Sequence, residues 1–202
     1  MTTQAGETMR LFVALEVPAS WKAALAALQD EMRAAIGERF ADSVRVRWVR
    51  PEGIHLTLKF LGETPVGRVE ALKTALGQAV TESPGFELSL GAAGSFADRR
   101  APRVILVTVF EATQGLLSLH ERIETWLAAA GWAREKRGFR SHLTLGRLPE
   151  SLEDAARREI AAITTALRVP EAPKWTPERV DLIRSHLGPG GARYESLAAF
   201  PG

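Results

Sequence analysis

The sequence of 202 residues contains no cysteine, and this absence excludes several kinds of site. Without thiols there is no disulfide framework, no thiol nucleophile and no cysteine-based zinc site. The chain also lacks any apolar run near the ~20 residues that a membrane-spanning helix needs. Its first eight residues lack the basic and apolar segments of a secretory signal. We therefore expect a cytoplasmic protein that does not contact a membrane.

The net charge is also small. The 26 lysines and arginines exceed the 24 aspartates and glutamates by only two, which gives +2. A protein that holds long nucleic acid through its electrostatic field alone carries a larger excess of positive charge. Five of the 26 basic residues are lysine, so 21 are arginine, whose planar guanidinium suits phosphate. A small net charge with many arginines allows a local site for one phosphate or one RNA end.

Length and patterning indicate one compact unit. At 46% hydrophobic residues, the chain has the composition of an ordinary soluble protein with one domain or two intimate lobes. Strand-like and helix-like periods follow one another in irregular order, and short turns join several strand neighbours, which predicts an α+β fold with antiparallel pairing. We predict a flexible leader over residues 1–8 and a single bilobal domain over residues 9–202.

Three local signals predict where elements end. Gly62 is expected to stop the strand that carries the first histidine. Residues 91–102 are expected to form a loop between two strands, because glycine, aspartate and proline recur there. Ser151 is expected to cap a helix with an acidic first turn.

The tetrapeptide His-Leu-Thr-Leu occurs twice, beginning at His55 and again at His142, 87 residues later. Both copies have the pattern of strands, on which residues two apart share a face. His55 and Thr57 then lie on one face, as do His142 and Thr144, while the leucines anchor each strand in the core. Core packing requires the leucines but not the same histidine and threonine beside them, so the repeat indicates function.

Two imidazoles and two hydroxyls suit the opening of a phosphodiester by water. Histidine can take or give a proton near neutral pH, and hydroxyl donors can stabilise the charge that develops on phosphate oxygens. A zinc site needs at least three protein ligands, and no such motif is present, so we expect a metal-independent reaction. His120 is expected on the flank of a helix and His186 is expected to be structural or solvated, since neither has a threonine two residues on.

These residues make the chain resemble the two-histidine (2H) phosphoesterase superfamily, whose signature His-x-Ser/Thr-x occurs twice. Within that superfamily the chain is similar to the bacterial and archaeal RNA 2',3'-cyclic phosphodiesterases, formerly called 2'-5' RNA ligases. The matching stretches are RLFVAL at 10–15, HLTLKFLG at 55–62, PRV at 102–104, FRSHLTLGR at 139–147, and the Ser185, Gly190, Tyr194 pattern.

The resemblance implies a bilobal, pseudo-symmetric α+β fold in which mostly antiparallel sheets line a central groove and helices pack outside. It implies hydrolysis of an RNA 2',3'-cyclic phosphate to a 2'-phosphate, without a metal or cofactor. By the same analogy His55 is the general acid, His142 is the general base, and Thr57 and Thr144 bind the phosphate. The two motifs are identical, so the residues alone leave the direction of proton transfer open.

Two further residues are candidates for substrate binding. Arg147 matches an arginine that the family places after the second motif, but strict alternation puts it opposite His142 unless a bulge near Gly146 redirects it. Phe12 is expected either to stack on a terminal base or to pack in the core. Residues 134–140 form a basic loop that is a candidate for RNA backbone contact.

The expected partner is an RNA end with a 2',3'-cyclic phosphate, tRNA fragments among the candidates, bound by a monomer. The same enzyme can be expected to run backwards as an ATP-independent 2'-5' RNA ligase. Two other functions stay open at this point. One is a phosphodiesterase on a small cyclic nucleotide such as an ADP-ribose cyclic phosphate, and the other is a non-catalytic RNA-binding module.

Overall fold

A computed structural model describes residues 7–81, 85–98, 101–188 and 191–201. Its centre is one antiparallel sheet. The strands of the sheet are β1 (Thr8–Glu16), β2 (Arg47–Trp48), β3 (His55–Pro65), β4 (Leu88–Asp98), β5 (Ala101–Glu111), β6 (His142–Arg147), β7 (Arg179–Gly188) and β8 (Gly191–Pro201). The α-helices of the described ranges are α1 (Ala19–Phe40), α2 (Val69–Val80), α3 (Gly115–Ala129) and α4 (Asp154–Ala166). None of these helices is long and apolar enough to span a bilayer.

The strands are arranged in the order β4-β5-β6-β3-β1-β7-β8, and β2 pairs with β6. The two strands that carry the tetrapeptide, β3 and β6, are therefore neighbours in the middle of the sheet. They meet through one residue pair, Leu56 with Leu143. The two expected lobes thus share a single sheet, with β1, β7 and β8 on one side of the junction and β5 and β4 on the other. We call these the first and the second lobe.

The helices and the candidate site lie on opposite faces of this sheet. The leucines of both tetrapeptides are buried in one hydrophobic cluster, to which side chains of all four helices contribute. That cluster runs through both lobes, so neither lobe has a core of its own. The other face carries a small buried cluster of Phe12, Ala14 and Ile183 in the first lobe, beside the cleft described below. The predicted fold class is confirmed.

The predicted strand end at Gly62 is wrong. β3 continues to Pro65, and Gly62 adopts a positive φ of 69° next to an irregularity in the pairing with β1. The glycine therefore accommodates a bulge inside the strand instead of ending it, because only glycine takes this backbone conformation without strain.

The predicted loop over 91–102 is also wrong, since β4 and β5 pair along most of it. Gly91 allows this close approach, because a Cβ there would lie 2.4 Å from Thr108 Oγ1. Ser151 is not a cap either: α4 begins at Asp154 after Glu153, without a side-chain cap, and Asp154 supplies the acidic first turn. The predicted leader lies outside the described residues up to position 6, and Thr8 is the first residue of β1.

Candidate active site

The junction of β3 and β6 brings the two tetrapeptides together. Leu56 pairs with Leu143 in an antiparallel arrangement, and the same register places His55 across from Thr144 and Thr57 across from His142. Directly opposed residues have Cβ atoms about 4.5–5.5 Å apart, and diagonal neighbours about 7–8 Å. The four predicted residues thus form a set with approximate two-fold symmetry on the helix-free face.

A backbone carbonyl orients each histidine in the same way. His55 Nδ1 lies 2.8 Å from the carbonyl oxygen of Gly53, and His142 Nδ1 lies 2.6 Å from that of Arg140. A carbonyl oxygen can only accept, so each ring donates from Nδ1. The Nε2 atom of each ring is then the nitrogen left for proton transfer.

Burial lowers the pKa of both histidines. The pKa of His55 falls to about 4, mainly because its imidazolium would be desolvated, and the nearby charge of His142 adds to the effect. The pKa of His142 is lowered as well, first by burial and then by the charges of Arg147 and Arg140. Hydrogen bonds to Gly53 and Arg140 oppose these shifts. Burial therefore favours the neutral form of both rings in the free protein.

Aromatic rings support both histidines, but from different strands. Phe12 of β1 stacks on His55 with ring centroids 4.6 Å apart, and Tyr194 of β8 meets His55 edge-on at 5.0 Å. On the other side, Phe96 of β4 meets His142 edge-on at 4.6 Å. The guanidinium of Arg140 lies 4.9 Å above the Phe96 ring. Phe96 lies in the segment that the sequence predicted as a loop, and no signal pointed to it.

Phe12 keeps only 3% of its surface exposed. Its ring is covered by His55, Tyr194 and the small cluster with Ala14 and Ile183. Little of the ring is left for a base to stack on, and its main contact is with the histidine. The substrate-binding role of Phe12 stays a prediction.

Arg147 reaches the cleft because β6 contains a bulge. In the antiparallel ladder with β5, Thr144 is paired with Leu106 and Gly146 with the next residue, Ile105. Leu145 between them has no partner and is the extra residue of the bulge. Beyond this bulge the alternation of side chains between the two faces of the sheet is shifted by one residue. Arg147 therefore lines the cleft together with Thr144. The bulge on which the prediction depended is present. Its binding role stays a prediction.

The first motif has a bulge at the equivalent position. In the ladder with β1, Thr57 is paired with Ala14 and Lys59 with Val13, so Leu58 is the extra residue in β3. Phe60, five residues after the histidine as Arg147 is in the second motif, turns into the cleft with 65% of its surface exposed. Strict alternation places Phe60 on the core face, which is why the sequence did not single it out.

The cleft has a volume of about 430 Å³ and lies mostly in the first lobe. Its lining residues are Arg10, Leu11, Phe12, Val49, Gly53, His55, Thr57, Phe60, Gly62, Thr144, Arg147, Ser185, Leu187, Ala192 and Tyr194. β6 contributes Thr144 and Arg147, and the other lining residues belong to β1, β3, β7, β8 and the segment before His55. His142 lies at the edge of the cleft, outside this lining.

Of the remaining candidates, Arg140 contacts His142 through its carbonyl oxygen. In the basic loop, Arg134 pairs with Glu121 at 2.7 Å. RNA contact by residues 134–140 stays a prediction. His186 binds Glu195 at 2.8 Å, and His120 is buried against Phe139, as expected for structural residues. Within the described ranges, no three histidine, aspartate or glutamate side chains form a group that could hold a metal ion.

A family model described as the 2'-5' RNA ligase superfamily matches residues 17–189. The chain belongs to this superfamily of enzymes. The match covers both tetrapeptides and strands β2 to β7, so the family predicted from the repeat is confirmed.

Individual relatives agree with this assignment. An RNA 2',3'-cyclic phosphodiesterase of Geobacillus stearothermophilus is 31% identical over 157 residues, 76% of this chain and 47% of that relative, so the match spans about half of its length. The protein of the same name from Archaeoglobus fulgidus is 30% identical over 95% of this chain and 99% of its own. Escherichia coli LigT in its apo form has a TM-score of 0.70 at 26% identity, covering 97% of this chain and 98% of LigT. LigT has also been solved with 3'-AMP, with a TM-score of 0.67.

Proposed function

We propose that this enzyme hydrolyses a 2',3'-cyclic phosphate at an RNA end and leaves a 2'-phosphate. One observation carries the proposal: two imidazoles, each held through Nδ1 by a backbone carbonyl, lie with two threonines on one face of the sheet, at the cleft and its edge. Acid–base hydrolysis of a phosphodiester needs this set of groups. The names of the curated relatives support the choice of substrate.

The position of the cleft supports a direction for the proton transfers. Because the cleft extends from the histidine pair into the first lobe, the terminal nucleoside fits beside His55. The leaving 3' oxygen stays on that ribose, which makes His55 the proton donor. His142, which is half-buried and lies outside the cleft lining, is then left to take the proton of the attacking water. These roles agree with those that the resemblance implies.

In the proposed step the water oxygen forms a bond to phosphorus and gives its proton to Nε2 of His142. The bond from phosphorus to the 3' oxygen breaks, and that oxygen takes the proton from Nε2 of His55. Thr57 and Thr144 donate to the non-bridging oxygens, and Arg147 offsets their growing charge. The bound anion raises the pKa of His55 from its low value in the free protein, which keeps the donor protonated.

The test is hydrolysis, in EDTA, of an oligoribonucleotide that ends in a 2',3'-cyclic phosphate, with the position of the phosphate in the product determined. A 2'-phosphate product that is absent with His142→Ala is the expected result. A 3'-phosphate product, or activity that needs a metal, contradicts the mechanism. No turnover by the folded protein on this RNA, with turnover of an ADP-ribose cyclic phosphate, assigns the small nucleotide instead. Failure on both favours the RNA-binding module.

The proposal also includes the oligomeric state, the cellular compartment, the RNA substrates and the reverse reaction. The chain acts as a monomer in the cytoplasm, and tRNA fragments are among its substrates. When a 5'-hydroxyl replaces water as the nucleophile, the same groups join two RNA ends through a 2'-5' bond without ATP. Incubating a cyclic-phosphate RNA with a 5'-hydroxyl RNA tests this, and a product resistant to a 3'-5'-specific nuclease at the junction is expected.

A further inference from the structure

Lys59 of β3 and Glu124 of α3 form a buried ion pair behind the sheet, outside the groups that the proposed reaction uses. Lys59 Nζ lies 2.7 Å from Glu124 Oε1, and both side chains are 3% exposed. The bulge at Leu58, which turns Phe60 into the cleft, turns Lys59 to the helix side. Removing two charges from water costs so much free energy that a well-packed apolar pair is often at least as stabilising. The ion pair therefore points to a role beyond stability.

Both members of the pair also bind the backbone that follows α3. Lys59 Nζ donates to the carbonyl oxygen of Ala133 at 2.8 Å, and Glu124 Oε2 accepts the backbone N–H of Glu135 at 3.2 Å. These two residues begin the fully described segment 133–141, which contains no helix or strand and leads into β6. We call this segment the approach loop. The ion pair thus fixes the start of the approach loop to the strand of the first motif and to α3.

The end of the approach loop is held as well. His120, on the same helix, stacks on Phe139 with ring centroids 4.2 Å apart and planes 19° from parallel. Ser141 Oγ donates to the carbonyl oxygen of Val109 on β5 at 2.8 Å. Arg140 lies between these two anchors, one of which is on α3 and the other on the sheet.

The backbone of Arg140 connects the approach loop to the proposed reaction, because its carbonyl oxygen lies 2.6 Å from His142 Nδ1. The direction of this carbonyl group depends on the two anchors beside it, and one of them moves with α3. The ion pair sets the position of α3, and of the start of the loop, relative to β3. A change in the pair therefore reaches the hydrogen bond that fixes the tautomer of His142.

We infer that Lys59 and Glu124 are positioning residues for His142, acting through the approach loop and the carbonyl group of Arg140. Lys59 is four residues after His55 on β3. The strand that carries the first histidine therefore also holds the support of the second. The inference rests on the proposed function only for its kinetic readout.

The double variant Lys59→Met/Glu124→Leu separates positioning from stability. Removing one member alone leaves a buried charge without its partner, which destabilises a protein strongly, whereas an apolar pair often restores stability. Ala133 and Glu135 are exposed, so water replaces the backbone hydrogen bonds that the substitutions remove. The fold is kept and the start of the approach loop is released.

Thr164→Val is the matched control, because it also removes a buried polar group from the helix layer. Thr164 is fully buried, and its Oγ1 bonds to the carbonyl oxygens of Ile160 and Ala161, both in α4. The substitution keeps the shape of the side chain and leaves the ion pair and the approach loop intact. We expect it to match the wild type in kcat and in the NMR signals of the histidine rings.

The kinetic readout is hydrolysis of the cyclic-phosphate RNA at a temperature where all the proteins are folded. We expect kcat of the double variant to fall about ten- to hundredfold, because a small displacement of a catalytic group lowers the rate on this scale. KM stays unchanged, since Thr57, Thr144 and Arg147 are not substituted.

The structural readout is ¹⁵N NMR of the histidine rings, which needs no substrate. His55→Ala and His142→Ala assign the two signals. In the double variant we expect His142 to lose its fixed Nδ1–H tautomer. His55 keeps its own tautomer, because its Nδ1 binds the carbonyl oxygen of Gly53 outside the approach loop. His55 is therefore an internal control in the same spectrum.

Glu124→Gln tests the same contact if the double variant is not folded. The amide is close to the carboxylate in volume, but only its oxygen can accept a hydrogen bond, and its NH₂ group meets the N–H of Glu135 as a second donor. We expect a smaller change of the His142 signal in the same direction. An unchanged His142 signal in the folded Glu124→Gln protein overturns the inference.

Three results with a folded double variant also overturn the inference. The first is a wild-type kcat. The second is a reduced kcat with an unchanged His142 signal, because the effect then does not pass through that ring. The third is an equal change in the signals of His55 and His142, which indicates a general disturbance of the site. A wild type without turnover on the RNA overturns the proposed function instead, and the NMR comparison still decides this inference.

Discussion

The two copies of the tetrapeptide agree up to the threonine and differ after it. In both strands a bulge follows the threonine, so the residue five positions after the histidine turns into the cleft. That residue is Phe60 in the first motif and Arg147 in the second. The repeat thus supplies one histidine and one threonine from each strand, while the flanking residues give one half of the cleft an apolar wall and the other half a cation.

The surroundings of the two histidines differ in the same sense. His55 lies between Phe12 and Tyr194, and its burial brings its pKa to about 4. His142 lies at the edge of the cleft beside Phe96 and two arginines. In the proposed mechanism the identical tetrapeptides perform opposite proton transfers, because what surrounds each ring decides which part of the substrate it meets.

Removing either histidine is the strongest way to test this pairing. We expect His55→Ala and His142→Ala each to lower kcat by about 10²- to 10⁴-fold, since each deletes one proton transfer. Single-turnover hydrolysis of the cyclic-phosphate RNA measures the loss. His186→Ala is the control and keeps full activity, because its ring binds Glu195 outside the cleft.

Circular dichroism and unfolding temperature show whether each variant is folded. Wild-type turnover by a folded histidine variant would remove that ring from the mechanism and end the comparison between the two copies.

Arg147 is the charged counterpart of Phe60, and its removal tests the cationic half of the cleft. We expect Arg147→Met to lower kcat/KM by about 10- to 150-fold, which corresponds to the loss of one or two hydrogen bonds to a charged group. Arg147→Lys restores the charge but not the two-pronged geometry and recovers only part of the activity. Steady-state kinetics of the three proteins decide this, and an unimpaired Arg147→Met would make the arginine a surface residue.

The sequence was sufficient to predict that the histidine and threonine of each motif share a face, and insufficient to predict the walls of the cleft. Alternation on a strand predicted that His55 and Thr57 share a face, because side-chain direction within one strand is local. It could not predict that Phe60 and Arg147 reach the same face, because each bulge depends on the register with the neighbouring strand. Phe96 was missed for a related reason, since its strand follows from pairing with β5 and not from its own composition.

The position just before Phe60 and Arg147 in each motif offers a test of packing. Lys59 and Gly146 are equivalent, but β2 covers only Gly146, where a Cβ would lie 2.9 Å from Val46 Cγ1 and 3.1 Å from Trp48 Cε3. We expect Gly146→Ala to lower the free energy of unfolding by about 1–3 kcal/mol through overpacking. Gly67→Ala, where nothing lies within 4 Å of the new methyl group, should stay within about 0.5 kcal/mol of the wild type. Urea unfolding measures the free energy of unfolding of both variants. Equal values would show that β2 moves aside without loss of stability.

The pH dependence of the wild type gives a further test that needs no substitution. In the proposed mechanism the reactive form of the free enzyme has His55 protonated and His142 neutral, and both pKa values lie below the usual 6.5. Above about pH 6.5 the protonated fraction of His55 falls tenfold per pH unit, so kcat/KM declines from there to pH 8.5. The bound phosphate anion raises the pKa of His55, so kcat declines only at a higher pH than kcat/KM does. A plateau of kcat/KM between pH 6.5 and 8.5 would contradict the low pKa of His55, and with it the view that burial in the first lobe distinguishes the two rings.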